Sequence, residues 1–363
     1  MSPRLLSRTV RRSICLAALG AVTLGCGSTR PTTAGVSSTI ASAGSTPSSA
    51  PADPTSSIAV VLSTEVVEIS TSSIVVELST TSVAVLGGGR PPLTPLTDQT
   101  PPVGLNGITF DRDRLWVADY EGAQLLGVDS VSGRIVSRYG KADGLSSAPD
   151  DVAVGPDGSI YWTGYDTGEV GRIRFDEQGS PAFDVVGNVG AGANPIAFAD
   201  DGKLYVGRIF TGDGLYEIDP TGAKPARRIV ETLGNVNGFD VAPDGRIYGP
   251  KFGGAPDGSL VRINPVDGSV EEVTRGFSLP LAVKVSLDGK SAFVVEAGPP
   301  ARVAKVDLAT GTATTLVTVT ATLLDNLTLA PDGSIFVTLG TGNKIVVIGP
   351  DGSTQTTLTV GTA

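Results

Sequence analysis

"VNGFDVAPDGRIYG", residues 236–249, decides the fold, because the chain writes it again as "PDDVAVGPDGSIYW" (149–162) and "LDNLTLAPDGSIFV" (324–337). With the glycine of the "PDG" turn as marker, Gly158, Gly202, Gly245, Gly289 and Gly333 recur about every 44 residues, and Arg114 stands at the same place in a first copy. Six and four places before each marker lie Ile108/Phe110, Val152/Val154, Ile196/Phe198, Phe239/Val241, Val283/Val285 and Leu327/Leu329. Apolar residues at spacing two mark a strand with one face buried. "PDG" puts Gly where the backbone needs positive φ, so it reads as a hairpin turn and not a phosphate loop. No nucleotide cofactor is expected.

A second strand after each turn carries one aromatic: Trp116, Tyr161, Tyr205, Tyr248, Phe293 and Phe336. A third follows, as in "LYEID" (215–219), "LVRIN" (260–264) and "VAKVD" (303–307), then a weaker fourth such as "RRIVET" (227–232). Four short strands per repeat predict propeller blades, since one blade cannot bury both faces of its own sheet. The expected fold is an all-β, six-bladed propeller with four antiparallel strands per blade over 102–363. The regular aromatic predicts packing between blades rather than a sugar-stacking site. The last copy holds its own fourth strand, "TQTTLTV" (354–360).

Ahead of the repeats the composition changes. Residues 1–25 read as an export signal: Arg4, Arg8, Arg11 and Arg12, then an apolar run from Ile14 to Leu24, too short for a comfortable membrane span. Small Gly25 before Cys26 suits a lipoprotein signal, with an ordinary cleaved signal as the alternative. The expected location is therefore the cell envelope, lipid-anchored at Cys26, or else secreted. Membrane contact is expected only through that anchor. Residues 26–101 are read as a Ser/Thr/Pro-rich tether. Inside it, "TSSIAVVLST" (55–64) recurs as "TSSIVVELST" (71–80), which is either linker or extra strands docked on the domain. "GGGRPPLTPLTDQTPP" (87–102) reads as the boundary.

Of two cysteines, Cys15 leaves with the signal, so the mature protein forms no internal disulfide. The formal charge is −10, and four units more negative once the arginine-bearing leader is gone. An acidic exported chain is a poor partner for nucleic acid. The absence of any histidine is the sharpest exclusion. It removes Ser–His, Cys–His and zinc–histidine chemistry, and with them a histidine-dependent lyase or paraoxonase-type esterase.

Eight places before each marker stand Asn106, Asp150, Asn194, Asn237, Leu281 and Asp325. The architecture puts these at the lip of the innermost strands, so five of six positions around one axis carry an oxygen donor. Converging carboxylates and amide carbonyls suit calcium or another hard divalent cation. The competing reading is that Asn and Asp simply favour places where a loop becomes a strand. Loops leaving the second strands open on the same face and add Asp119, Tyr120, Tyr165, Asp166, Arg208, Phe210, Lys251, Phe252 and Glu296, a rim compatible with a small polar ligand.

The repeats resemble the six-bladed propellers of the gluconolactonase/regucalcin (senescence marker protein) family, and more distantly strictosidine synthase-like and NHL-type propellers. The resemblance spans 102–363 and rests on "NGFDVAPDGRIY" (237–248) and "PDDVAVGPDGSIYWT" (149–163). It implies a divalent metal, often calcium, at the lip. The implied ligands are a first-blade Glu, Asn from the third and fourth blades, and a fifth-blade Asp that is also the base. Asn194 and Asn237 match; Asn106 stands where the Glu should be and Leu281 where the Asp should be. The family's Arg before the third-blade Asn is replaced by "GAGAN" (190–194). Two functions stay open. One is a monomeric surface propeller binding a small polar ligand or a surface protein. The other is a metal-dependent lactone or ester hydrolase with Asp150 or Asp325 as base.

Overall fold

The computed structural model describes residues 90–252, 257–320 and 323–361. The leader, Cys26 and the repeated segments at 55–80 lie outside these described residues. Six four-stranded antiparallel sheets follow one another along the chain. Blade 1 is β1 (Leu105–Asp111), β2 (Arg114–Asp119), β3 (Gln124–Asp129) and β4 (Ile135–Tyr139); blade 2 is β5 (Pro149–Val154), β6 (Ile160–Gly164), β7 (Glu169–Phe175) and β8 (Pro181–Asn188). Blade 3 is β9 (Ala193–Phe198), β10 (Leu204–Arg208), β11 (Gly214–Ile218) and β12 (Arg227–Val230); blade 4 is β13 (Asp240–Val241), β14 (Ile247–Lys251), β15 (Gly258–Ile263) and β16 (Val270–Phe277). Blade 5 is β17 (Pro280–Val285), β18 (Ser291–Glu296), β19 (Ala301–Asp307) and β20 (Ala313–Val319); blade 6 is β21 (Leu324–Leu329), β22 (Ile335–Leu339), β23 (Lys344–Ile348) and β24 (Gln355–Thr359). Each first strand neighbours the next blade's first strand, and β21 returns to β1. This is the six-bladed propeller that the repeats predict.

The core sits in the seams. Each of the six seams holds its own apolar cluster drawn from the two blades that meet there. The second-strand aromatics are all buried. Three of them reach the next blade: Trp116 stacks on Phe175, Tyr161 meets Phe198 edge-on, and Phe336 packs on Phe110. Their recurrence is therefore inter-blade packing.

The marker glycines turn at φ between +68° and +85°, a left-handed backbone that costs Gly nothing. The first copy solves the turn differently. Arg114 already belongs to β2, and Arg112 takes the left-handed place at φ +62°.

First strands face the axis with backbone N–H groups that no fifth strand can bond, and the preceding blade supplies acceptors instead. Thr328 Oγ1 takes Phe110 N at 3.0 Å, Asp240 Oδ2 takes Val285 N at 2.9 Å, and Gly238 O takes Val283 N at 2.8 Å.

Blade 6 is completed by its own β24, and the ring is then strapped from outside. Residues 90–101, expected to be tether, lie along blade 1. The Gln99 side chain imitates a strand residue at the free edge of β4: Nε2 donates to Ile135 O at 2.9 Å, and Oε1 accepts from Ile135 N at 2.9 Å. Leu96 N also donates to Ile135 O, Arg138 Nη2 to Thr100 O, and Arg90 pairs with Asp111. At the C-terminal end Gly361 N donates to Gly133 O at 3.1 Å. Replacing Gln99 by Ala should lower stability by about 2 kcal/mol, the scale of a few part-buried hydrogen bonds. Urea midpoints of the full chain would check it; a change within about 0.5 kcal/mol, the range of neutral surface substitutions, would make the strap incidental.

Candidate ligand funnel

First strands enter each blade at one end of the axis, and the loops leaving the second strands open at the same end. At the lip, the buried Asp150 carboxylate is held on both oxygens: Asn106 Nδ2 donates to Oδ1 at 2.6 Å and Asn194 Nδ2 to Oδ2 at 2.7 Å. Three consecutive blades are thereby joined by one amide–carboxylate–amide chain. Asn237 and Asp325 are half-buried, and Leu281 puts a buried apolar side chain in the fifth place. Asn237 N donates to Pro250 O at 3.0 Å.

One residue further in, a second polar layer crosses the axis, which the period-44 alignment did not single out. Asp151 Oδ1 accepts from Asn326 Nδ2 at 3.1 Å, so blade 2 reaches blade 6 past blade 1. A Cβ on Gly107 of blade 1 would collide with that carboxylate. Asp151 Oδ2 takes Ile196 N at 3.3 Å. Burial pushes the Asp151 carboxyl up to about 7, helped by neighbouring Asp150 and opposed by Lys284 and by the N–H groups of Val152 and Ile196. Lys284 is itself paired with Asp240 at 3.2 Å. The adjacent acids "DD" at 150–151 were the visible signal, and an irregular register between Pro149 and Val152 lets both reach the axis.

The rim residues divide sharply. Asp119 is fully buried and accepts Gly104 N at 3.0 Å, Gly122 N at 3.1 Å, Gln124 Nε2 at 2.6 Å and Val103 N at 3.2 Å. Glu296, also buried, takes Ser278 N at 2.7 Å and pairs with Arg302. Both acids staple loops. Arg208 folds back so that Nε and Nη2 donate to Ala191 O at 3.0 and 2.8 Å. Tyr120 OH donates to Asp166 Oδ2 at 2.9 Å.

The residue after each second strand sets the shape of the mouth. Tyr120, Tyr165 and Ile209 are buried in one cluster with half-buried Phe210 and Phe252 packed against it. These form an apolar arc over blades 1 to 4. At the corresponding places of blades 5 and 6 stand Ala297 and Gly340. The mouth is therefore walled on four blades and low on two. Among the described residues no three His, Cys, Asp or Glu side chains gather as a metal group.

A cleft of about 510 Å³ opens at the other end, between blades 3 and 4, lined by turn residues that include Asp201, Lys203, Asp244 and Arg246. Its walls are hairpin turns of mixed charge, whereas the lip holds a buried carboxylate with both oxygens committed. The lip is the better candidate.

No protein-family model and no curated protein sequence matches the chain. Solved structures do. A catalytically inactive virginiamycin B lyase from Staphylococcus aureus, a histidine-to-alanine variant with quinupristin, is similar at TM-score 0.53 and 15% identity over 74% of this chain and 87% of that one. XC5397 from Xanthomonas campestris, described as a gluconolactonase, gives TM-score 0.53 and 16% identity over 66% and 84%. A chain of the nidogen/laminin complex gives 0.54 and 13% over 71% and 93%. At these identities the likeness is one of fold. The chain is a six-bladed propeller with gluconolactonase-type neighbours, as the repeat blocks imply.

Proposed function

We propose that the chain is an exported, surface-tethered propeller that binds a small polar ligand at the lip of its central funnel. The observation that carries this reading is the Asn106–Asp150–Asn194 chain. It joins three blades into a rigid, preformed polar floor below an apolar wall, the arrangement a small-molecule site requires. The Cys26 anchor and the acidic, histidine-free composition fit a binding protein held at the envelope.

The alternative, a metal-dependent lactone or ester hydrolase, is favoured by the gluconolactonase among the fold neighbours. It needs a cation and a base at the lip. As folded, the lip does not fit a cation: Asn106 and Asn194 turn amide N–H groups, not oxygens, towards Asp150. Leu281 contributes no donor at all. A hard divalent ion wants six to eight oxygens, so both amides would have to turn over before Asp150 could share it.

Two measurements test this. Thermal melts in excess EDTA and across a calcium titration should coincide. A saturable calcium-dependent rise in Tm would mean that the native state binds the ion, and it would bring the hydrolase reading forward. A melting-shift screen of sugars, polyols, lactones, amino acids and aromatic carboxylates should give ligands whose effect disappears in Asn237→Ala. If no compound shifts the wild-type melt, the small-ligand reading fails.

A further inference from the structure

Packing at the mouth of blade 3 is already complete at Ile209, which is fully buried. The next residue, Phe210, is held with its ring half-exposed and its backbone left-handed at φ +62°, a conformation that residues with a side chain rarely adopt. Asn235, itself left-handed at φ +60°, fixes it there: Phe210 N donates to Asn235 Oδ1 at 3.1 Å. The same Asn235 accepts Phe252 N on its backbone oxygen at 3.4 Å. One strained residue thus sets both phenylalanines, whose rings stack at 5.4 Å and 24°.

A cation adjoins the pair in the chain. Lys251 precedes Phe252, and its backbone bridges to Val236. Its side chain runs over Gly234, next to Asn235, with Cε and Nζ 2.6 and 2.8 Å from where a Gly234 Cβ would stand. The acid of that region, Asp213, is occupied by the N–H groups of Leu233 and Gly234. The second base of this sector, Arg208, is turned onto Ala191 O. The ammonium of Lys251 therefore has no ion-pair partner among the described residues. Of the other acids at this end, Asp150 and Asp166 belong to blade 2 and Asp325 to blade 6, while Asp257, in the loop that follows Lys251, acts electrostatically on Arg275.

We propose that Phe210, Phe252 and Lys251 form a subsite of the funnel for a flat apolar group bearing a carboxylate. The group lies against the stacked rings and its anion meets Lys251. This rests on the funnel-binding reading and specifies its ligand: a planar acid rather than a neutral polyol. Aromatic stacking supplies the apolar half, and the charge pair decides between otherwise identical ligands.

The probes are 1-naphthoate and neutral 1-naphthamide, which share a shape and differ in charge, titrated against the protein with saturation-transfer NMR as the readout. The wild type should bind naphthoate at least tenfold more tightly than the amide. Lys251→Gln, which keeps most of the stem, should erase that preference. Phe252→Leu, at an ordinary backbone position, should weaken both probes at least fivefold, and Phe210→Leu should do the same if it folds. Equal binding of the two probes, or binding of neither, overturns the subsite. So does naphthoate binding that ignores all three variants. Polar ligands from the screen that need Asn237 but ignore Lys251 and Phe252 would keep the funnel reading and remove only this subsite. Loss of both responses would remove both.

Discussion

Asp119→Ala should lower the stability of the propeller by about 3–5 kcal/mol, more than any substitution at the rim that faces solvent. The carboxylate is inaccessible to water and accepts from Gly104 N, Gly122 N, Val103 N and Gln124 Nε2. Alanine strands those donors, and each unsatisfied buried donor costs about 1–3 kcal/mol. Part of the loss falls on closure of the ring, because Val103 O accepts Gly342 N from blade 6 and Gly104 pairs with Gly342. Urea unfolding should show a lower midpoint with an unchanged slope, the mark of a stability change without altered compactness. Gly122→Ala is an independent test, since its Cβ would collide with the Asp119 carboxylate and push it from the same bonds. If both variants lose less than about 1 kcal/mol, the worth of one ordinary hydrogen bond, Asp119 is no staple. It would then return to the ligand-binding rim.

The case of Asp119 also shows where sequence reasoning stops. The period, the turns and the buried alternation were legible because they recur, the apolar pair in all six copies and the hairpin Gly in five, with the same meaning each time. The lip was legible for a related reason: one alignment column placed Asn106, Asp150 and Asn194 on neighbouring blades, and the structure brings those three together. Burial at a strand exit has no such signature. Asp119 and Glu296 look like solvent-facing charges until the loops that fold over them are seen. Gln99 is a single amide in a Gly/Pro-rich stretch, and only the position of Ile135 reveals that it completes a sheet edge. The left-handed backbones of Phe210 and Asn235 are equally invisible, since neither is Gly.

The axial layer predicts an unusual pH dependence. The Asp151 carboxyl is pushed up to about 7 in the folded protein from an ordinary 3.8, chiefly by burial. Lys284 pulls the other way, but it already faces Asp240. Between about pH 4 and pH 7 the native state therefore holds a proton that the unfolded chain has released. Stability must fall as pH rises through that window, at about 1.4 kcal/mol per pH unit for one group, and level off above it. Surface acids act with the opposite sign and lower down. Asp184, drawn below its usual range by Arg172, contributes stability that is lost only as pH drops through the acidic region. Asp151 is thus the group whose contribution falls as pH rises from about 4 to about 7, against the usual sign for an acid. Unfolding free energies from urea titrations at pH 4.5 and pH 8 should differ in the wild type by about 3 kcal/mol, from about 1.4 kcal/mol per pH unit up to the raised Asp151 value of about 7. They should differ far less in Asp151→Ala, whatever that variant's absolute stability. A wild type equally stable at both values would mean that Asp151 is ionised in the fold. The crossing between blades 2 and 6 would then be a carboxylate accepting from Asn326 and Ile196 at neutral pH, with its charge balanced by Lys284.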